Sequence, residues 1–389
     1  MNTSLTYWAS RSPFEICLTY FSVNYGYLVS TVIVIALVSY LVTVHRQRYK
    51  NLEYIRKKYP DPNQILNDTA AAVEVLAITE QKEFPSMFKT YTTPKTSKIL
   101  VSTGEFGKEC PRRYEDTELI LREFADIHGR IQNHLKDHPD TPKEHLLDQL
   151  DRKEKAIKRL NELHGKYNIG NDDFLYTLTM FITEPVAWAC YHAWYVIGLE
   201  MNMKDIPESF EKVIQFKEEH AKKHIRYAKV NWMCGEPTLR LFITFLPSFL
   251  STHLYKFACK VLPSFLTEHE TKAFGLPEEN KFYSFIIYVA FMIRAFFIRH
   301  FMLPRKKFLV RTPFYPNSNG KYVPNYFVFN NMIYKDGYDI SNLGPEKYAT
   351  GRVSSCPFAL SLSRKATDLL RNPVSFHCNS ISRIVRSSL

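Results

Sequence analysis

The chain has 389 residues, of which 45% are hydrophobic and 14% aromatic, while glycine numbers only 13. This balance argues for long, closely packed helices and against a sheet-rich fold with many tight turns, and the length allows one large domain with appendages. The formal net charge is +12, but no nucleic-acid recognition motif accompanies it, so anionic lipid headgroups are the expected partner and nucleic acid is not. The seven cysteines are scattered and form no CxxC pair, which argues against a disulfide framework or a zinc site and for a reducing compartment.

In chain order, residues 1–15 form a short N-terminus, expected in the lumen. Residues 16–44 contain no charged side chain. Their densest part, "YLVSTVIVIALVSYLVTV", would make about 27 Å of helix, nearly the hydrocarbon thickness of a bilayer. The basic stretch "HRQRYKNLEYIRKKY" follows rather than precedes it. That order fits a retained single-pass anchor better than a cleaved signal peptide, with everything beyond His45 on the cytosolic side.

Residues 45–105 read as stalk and connector: polar-to-amphipathic helix to residue 82, then "EFPSMFKTYTTPKTSKILVSTGEF" with two prolines and many hydroxyls. Residues 106–310 read as the main helical domain, so the expected fold class is all-α. Within it, residues 129–155 are strongly hydrophilic and read as an exposed excursion between two core helices. "NDD" at 171–173 supplies N-cap chemistry for the apolar helix that follows. Three apolar runs, 173–200, 241–263 and 282–303, are each interrupted by charge or proline. They read as core or membrane-surface helices, because a charge near mid-span is costly. Residues 311–358 are an irregular extension rich in proline, asparagine and aromatics. Residues 359–389 are a basic, serine-rich tail expected to be disordered.

Two helical stripes carry the chemistry. In "IKRLNELHGKY" (157–167), Ala156, Leu160, Leu163 and Tyr167 share one stripe, and Ile157 and His164 lie at its edge. His164 therefore faces protein or a ligand rather than open water. A histidine on an apolar face is ordinarily a packed core residue. In "RRYEDTELILREF" (112–124), the apolar stripe includes Arg113 and Thr117. A guanidinium so placed needs an anionic partner, either Asp116 three residues on or the carboxylate of a bound ligand. Elsewhere, "HAKKH" spaces His220 and His224 for chelation, but its lysines and glutamates favour a solvated face. Glu184-Pro185 reads as a proline kink, and Trp188 and Trp194 read as core.

These two stretches, with "NELHGKYNIGNDDFLYTLTMFITEPVAW", "LPSFL", "FGLPEE" and "GPEKY…CPF" in that order, resemble a known family. It comprises the fungal endoplasmic-reticulum-bound oxygenases of the MpaB type and the bacterial latex-clearing proteins. The likeness runs over residues 45–358, and the single anchor matches the fungal branch. The resemblance implies a globin-like helical core holding haem b, which makes residues 106–310 the catalytic domain. It implies that His164, in the family's "LH" pattern, is the axial iron ligand, with His128 and His192 as its nearest competitors. It also implies that Arg113 and Thr117, the Arg-x-x-x-Thr motif, line the haem. The latex-clearing branch has a lysine just before that threonine. Asp116 stands here, so no distal lysine ligand is expected. The stretch between the two motifs is longer in this chain than in the family. The implied activity is oxidation or cleavage of a carbon–carbon double bond in a lipophilic, isoprenoid-type substrate with O2, at the endoplasmic-reticulum membrane. The competing expectation is a haem-free, membrane-anchored scaffold or lipid-binding protein that keeps the same fold.

Overall fold

Helix α1 (Pro13–Lys58) runs unbroken through the apolar segment into the basic stretch. Its serine and threonine hydroxyls bond back one turn, Ser30 to Gly26 O and Thr43 to Ser39 O, each at 2.8 Å. Those hydroxyls therefore need no water, which suits a helix in lipid. Most of its described apolar side chains are bare, with Tyr27 71% and Ile33 60% exposed. By length and composition the helix can cross a membrane. A computed structural model describes residues 13–61, 71, 74, 84–183, 187–244, 251–328 and 333–349.

The chain then builds a series of helices. They are α2 (Phe84–Thr90), α3 (Pro94–Ser102), α4 (Glu105–Lys108), α5 (Cys110–Ala125), α6 (Ile127–Asp137), α7 (Lys143–His164) and α8 (Asn171–Thr183). After them come α9 (Ala187–Glu200), α10 (Phe210–His224), α11 (Lys229–Ile243), α12 (Ser251–Val261), α13 (Glu268–Phe274) and α14 (Lys281–Phe301). Among the described residues the only β feature is one antiparallel bridge, Tyr322 to Tyr338. The fold is all-α, as the composition implies.

Two compact units emerge: residues 1–58 with 289–305, and residues 59–288 with 306–389. In the larger one, a core forms where Leu119, Ile120 and Phe124 of α5 meet Ala156, Ile157 and Leu163 of α7 and Leu175, Leu178 and Ile182 of α8. Trp194 belongs to this core, stacked on Phe181 at 4.5 Å. The side chain of Trp188, together with Glu184 and Pro185, falls outside what the structure describes, as does the tail from residue 350. A second cluster joins Phe88, Tyr91 and Phe106 to Cys234, Leu239 and Phe274.

Two expectations change and a third narrows. Residues 129–155 are not an exposed excursion, because they lie in α6 and α7 and bury Arg130, Gln149 and Arg152. Their hydrophilicity reflects a buried polar network. Glu123, fully buried on α5, accepts from Arg152 Nη2 at 2.7 Å, Arg130 Nη1 at 3.3 Å and Tyr338 Oη at 2.5 Å. Arg159 is likewise buried, donating to Leu343 O at 2.8 Å and Tyr348 O at 2.9 Å. "HAKKH" is not a wholly solvated face, since His220 is buried and stacked on Tyr176 at 4.3 Å. Residues 282–303 are not a core helix, for α14 buries none of its side chains. It too is long and apolar enough to cross a membrane.

The segment after α14 is irregular, as expected, yet it is packed in. Arg311, fully buried, pairs with Glu115 and Glu118 of α5. Tyr334 donates to Asp116. Gly344 has φ +107°, and a Cβ there would stand 2.7 Å from Leu163 Cδ1. Residues 334–348 thus strap α5 to α7.

Candidate functional site

α5 begins with a proline at its first turn, where a missing N–H costs nothing. Arg113 and Thr117 lie one turn apart on one face of it. Arg113 Nη1 donates to Thr117 Oγ1, and Thr117 Oγ1 donates back to Arg113 O at 2.8 Å. The expected local partner, Asp116, faces elsewhere: it accepts from Tyr334 and from the backbone of Gly344, and burial raises its carboxyl to about 6. Among the described residues no carboxylate lies within 4.0 Å of the Arg113 guanidinium.

His164 is the last residue of α7, followed by Gly165, whose N–H bonds to Asn161 O at 2.8 Å. Its ring lies 5.2 Å from that of Phe174 on α8. α8 starts where the "NDD" pattern places it: Asp173 accepts from Gly170 N at 3.2 Å and pairs with Lys95 at 2.5 Å. The Nδ1 of His164 is buried and meets no hydrogen-bond partner among the described residues. Burial, helped by the positive charge of Arg113, pushes the imidazole down to about 4. At neutral pH it is therefore uncharged and its lone pair is not held by a proton.

The Arg113 charge also reaches Tyr91, Cys110, Cys234 and Tyr167. Burial raises the Tyr91 phenol and the Cys110 thiol, and pushes Cys234 up to about 12, so these groups stay neutral beside the guanidinium. The result is a cation that feels Asp116 across space without bonding it, a neutral imidazole, and thiols and phenols kept neutral by burial. Such a site suits a ligand with an anionic group and an atom that takes an imidazole lone pair. Among the described residues no three His, Cys, Asp or Glu side chains converge to hold a metal ion. A metal at His164 would take most of its donors from a non-protein group.

The structure thus places two elements of the sequence reading, Arg113–Thr117 and His164, in one electrostatic neighbourhood. His128 is directed to Phe308, ring to ring at 5.7 Å. The side chain of His192 lies outside the described residues. Sequence reasoning missed Tyr91, Cys110 and Cys234. They come from separate segments, and no spacing announces that they meet.

Comparison with known proteins gives three relatives. The chain is 27% identical over 176 residues to the ER-bound oxygenase mpaB of Penicillium roqueforti, covering 41% of this chain and 53% of that protein. It is 26% identical over 180 residues to the ER-bound oxygenase mpaB' of Penicillium brevicompactum, and 25% identical over 180 residues to the mpaB of the same organism. Each of these covers 42% of this chain, and 38% and 41% of the relative respectively, so the match spans about half of those proteins or less. No family model matches, and no solved structure matches.

Proposed function

Taking this to be an MpaB-like, all-helical chain, we propose that it is a membrane-anchored, haem-dependent oxygenase. The observation that carries the proposal is a neutral imidazole whose buried Nδ1 meets no partner among the described residues, within electrostatic reach of a guanidinium that bonds no carboxylate among them. The residues fit a b-type haem in a globin-like helical domain: His164 would take the iron and Arg113 a propionate. When bound, haem supplies the capture and activation of dioxygen.

The chain's own residues do the rest. Desolvation around His164 keeps a proton from competing for its lone pair. Arg113 provides a fixed positive charge, and its hydrogen bond to the Thr117 hydroxyl holds the guanidinium along one face of α5. Thr117 adds a hydroxyl at the face where O2 and substrate would meet. The proposed substrate is a lipophilic, isoprenoid-type molecule with a carbon–carbon double bond that is oxidised or cleaved. Support comes from the aromatic-rich domain, the apolar α1, and relatives named as ER-bound. In this reading α1 is anchored in the endoplasmic-reticulum membrane, with residues 106–310 on the cytosolic side.

The test is spectroscopic. Full-length protein purified from haem-supplied cells should show a Soret band that shifts on reduction and on carbon monoxide binding. His164→Ala should keep its helical circular dichroism while its haem content falls by about ten-fold or more. A folded wild type that never shows the band would replace this reading with the haem-free scaffold. Retention of the band in His164→Ala with loss in His128→Ala would move the ligand.

A further inference from the structure

Helix α14 has the length of a membrane span, about 31 Å, and the composition of one. None of its side chains is buried, and Phe282 is 66% and Phe297 53% exposed. Water is a poor solvent for such a surface. Its two flanks, however, are tied into the same unit. On the upstream side, the hydroxyls of Ser264 and Ser284 are 2.7 Å apart, and Tyr283 packs on Phe257 at 5.7 Å. On the downstream side, Asn133 and Phe308 exchange two hydrogen bonds of 2.9 and 2.8 Å, and Arg311 N donates to Asp126 at 2.8 Å. Five residues lead from Leu303 to Phe308, a reach of about 17 Å at most, against a hydrocarbon core of about 30 Å. A chain that had crossed the bilayer could not return to that unit.

The charges agree. On a helical projection Lys281, Arg294 and Arg299 share one arc with Ser284 and Tyr288. Phe282, Phe285, Val289, Ile293, Phe296 and Phe297 occupy the opposite one with His300, while Ile287, Phe291 and Ile298 fall among the basic residues. Arg294 in a crossing helix would stand well inside the hydrocarbon, at a cost of roughly 3 kcal/mol. The C-terminal end of α14 meets α1 where its apolar stretch gives way to basic residues. There Arg299 Nε donates to Tyr49 Oη at 3.0 Å, Tyr40 Oη to Phe301 O at 2.7 Å, and Arg48 Nη2 to Met302 O at 2.5 Å. That is the headgroup level of an anchored α1, and Arg305, Lys306 and Lys307 follow within a few residues.

We propose that α14 is not a second span but an in-plane membrane helix. Its phenylalanine face would sink into the acyl boundary, and its arginines with residues 305–307 would engage anionic headgroups. The enzyme domain would then be seated on the bilayer by a second contact besides its anchor. This rests on the anchored reading above, and its test separates the two.

Cysteine would be placed singly in the full-length protein at Lys57, Lys281, Ile293 or Lys306, all exposed. Sealed vesicles containing acidic phospholipid would be treated with a membrane-impermeant maleimide, and labelling read peptide by peptide by mass. Lys57→Cys, Lys281→Cys and Lys306→Cys should react together from the outer, cytosolic face. Ile293→Cys should react about ten-fold more slowly. Labelling of positions 281 and 306 from opposite sides overturns the proposal in favour of a span. Labelling of position 293 as fast as position 281 overturns it in favour of a water-facing surface. If positions 57, 281 and 306 react together but only from the lumenal side, the orientation of the anchor fails and the in-plane helix stands.

Discussion

Helix α5 presents two contrasting regions. Towards its C-terminal half and its far side, every buried charge has a counter-charge: Glu123 holds Arg130 and Arg152, Glu115 and Glu118 hold Arg311, and Asp126 meets Arg122. Near its N-terminus, Arg113 bonds only the hydroxyl of Thr117 among the described carboxylates and hydroxyls, feels Asp116 across space, and lies within electrostatic reach of the neutral imidazole of His164. The same helix thus carries buried charges that carboxylates of the chain complete and a part-buried one that bonds none among the described residues. Fold-building arginines find their carboxylates within the chain. A guanidinium left without a carboxylate, beside an imidazole left without a partner, has the form of a site completed by something else.

The largest expected effect tests the saturated half. Glu123→Ala strands two buried guanidiniums and the Tyr338 hydroxyl, and should cost roughly 3–5 kcal/mol. Arg113→Ala in haem-free protein breaks no ion pair and should change stability by no more than about 1 kcal/mol. Urea midpoints measured on the solubilised full chain compare the two directly. Equal losses would mean that Arg113 is a structural cation like the others, and the contrast would dissolve.

How much of this was legible beforehand follows the same division. The apolar helix of residues 16–44 and the placing of His164 near the inner face of α7 could be read from periodicity, because burial of apolar side chains repeats at the helical spacing; the α5 stripe could not, since Arg113 and Thr117 are only part-buried and the buried face carries Glu115, Asp116 and Glu123. Residues 129–155 could not. Arg130, Gln149 and Arg152 look like solvent-facing residues until Glu123 takes the two arginines and Thr312, Pro313 and Phe314 arrive from far away in sequence to complete the three. Asp116 was the obvious partner for Arg113 by spacing, yet Tyr334, more than two hundred residues on, takes it. Local spacing shows which residues share a face and not which long-range partner claims them. The exposure of α14 was hidden for another reason: a core helix and a membrane-surface helix have the same composition.

A medium effect should come from the strap that joins the two halves. Gly344 sits at φ +107°, where side chains other than glycine are strained, and its missing Cβ leaves room for Leu163. Leu163 precedes His164, and the Gly344 backbone also bonds Asp116. Gly344→Ala should therefore cost about 1–3 kcal/mol. Under the proposed function it should also loosen haem, because the turn bearing His164 shifts. Dissociation of haem to a scavenging apoprotein, followed by loss of the Soret band, reads the second effect apart from the first. A variant as stable and as retentive as wild type would remove the strap from the site.

The smallest effect is a pH dependence that comes from neutral histidine rather than from the paired charges. Burial raises the Glu115 and Asp126 carboxyls, so what they contribute is present at low pH and lost as pH rises; acidification does not remove it. His220 has the opposite sign. It packs between Tyr176 and His224, ring centroids 4.3 and 4.4 Å away, and neither of its nitrogens meets a hydrogen-bond partner among the described residues. Burial first, and then the neighbouring His224, lower it from 6.5 to about 4, while Asp173 and Asp172 pull weakly the other way. The unfolded chain therefore binds this proton before the folded one does. The contribution of His220 is whole above about pH 6.5 and is lost as the pH falls towards 4, on the order of 1 kcal/mol across that window. His220→Phe keeps the stacked ring and removes the proton site, so its urea midpoint should fall less than that of wild type between pH 7 and pH 4.5. His164 shares the sign and remains in both proteins, so the difference between the two curves belongs to His220. If the curves stay parallel, the acid lability lies in the carboxylate network after all, and the saturated half of α5 is the weaker region in acid.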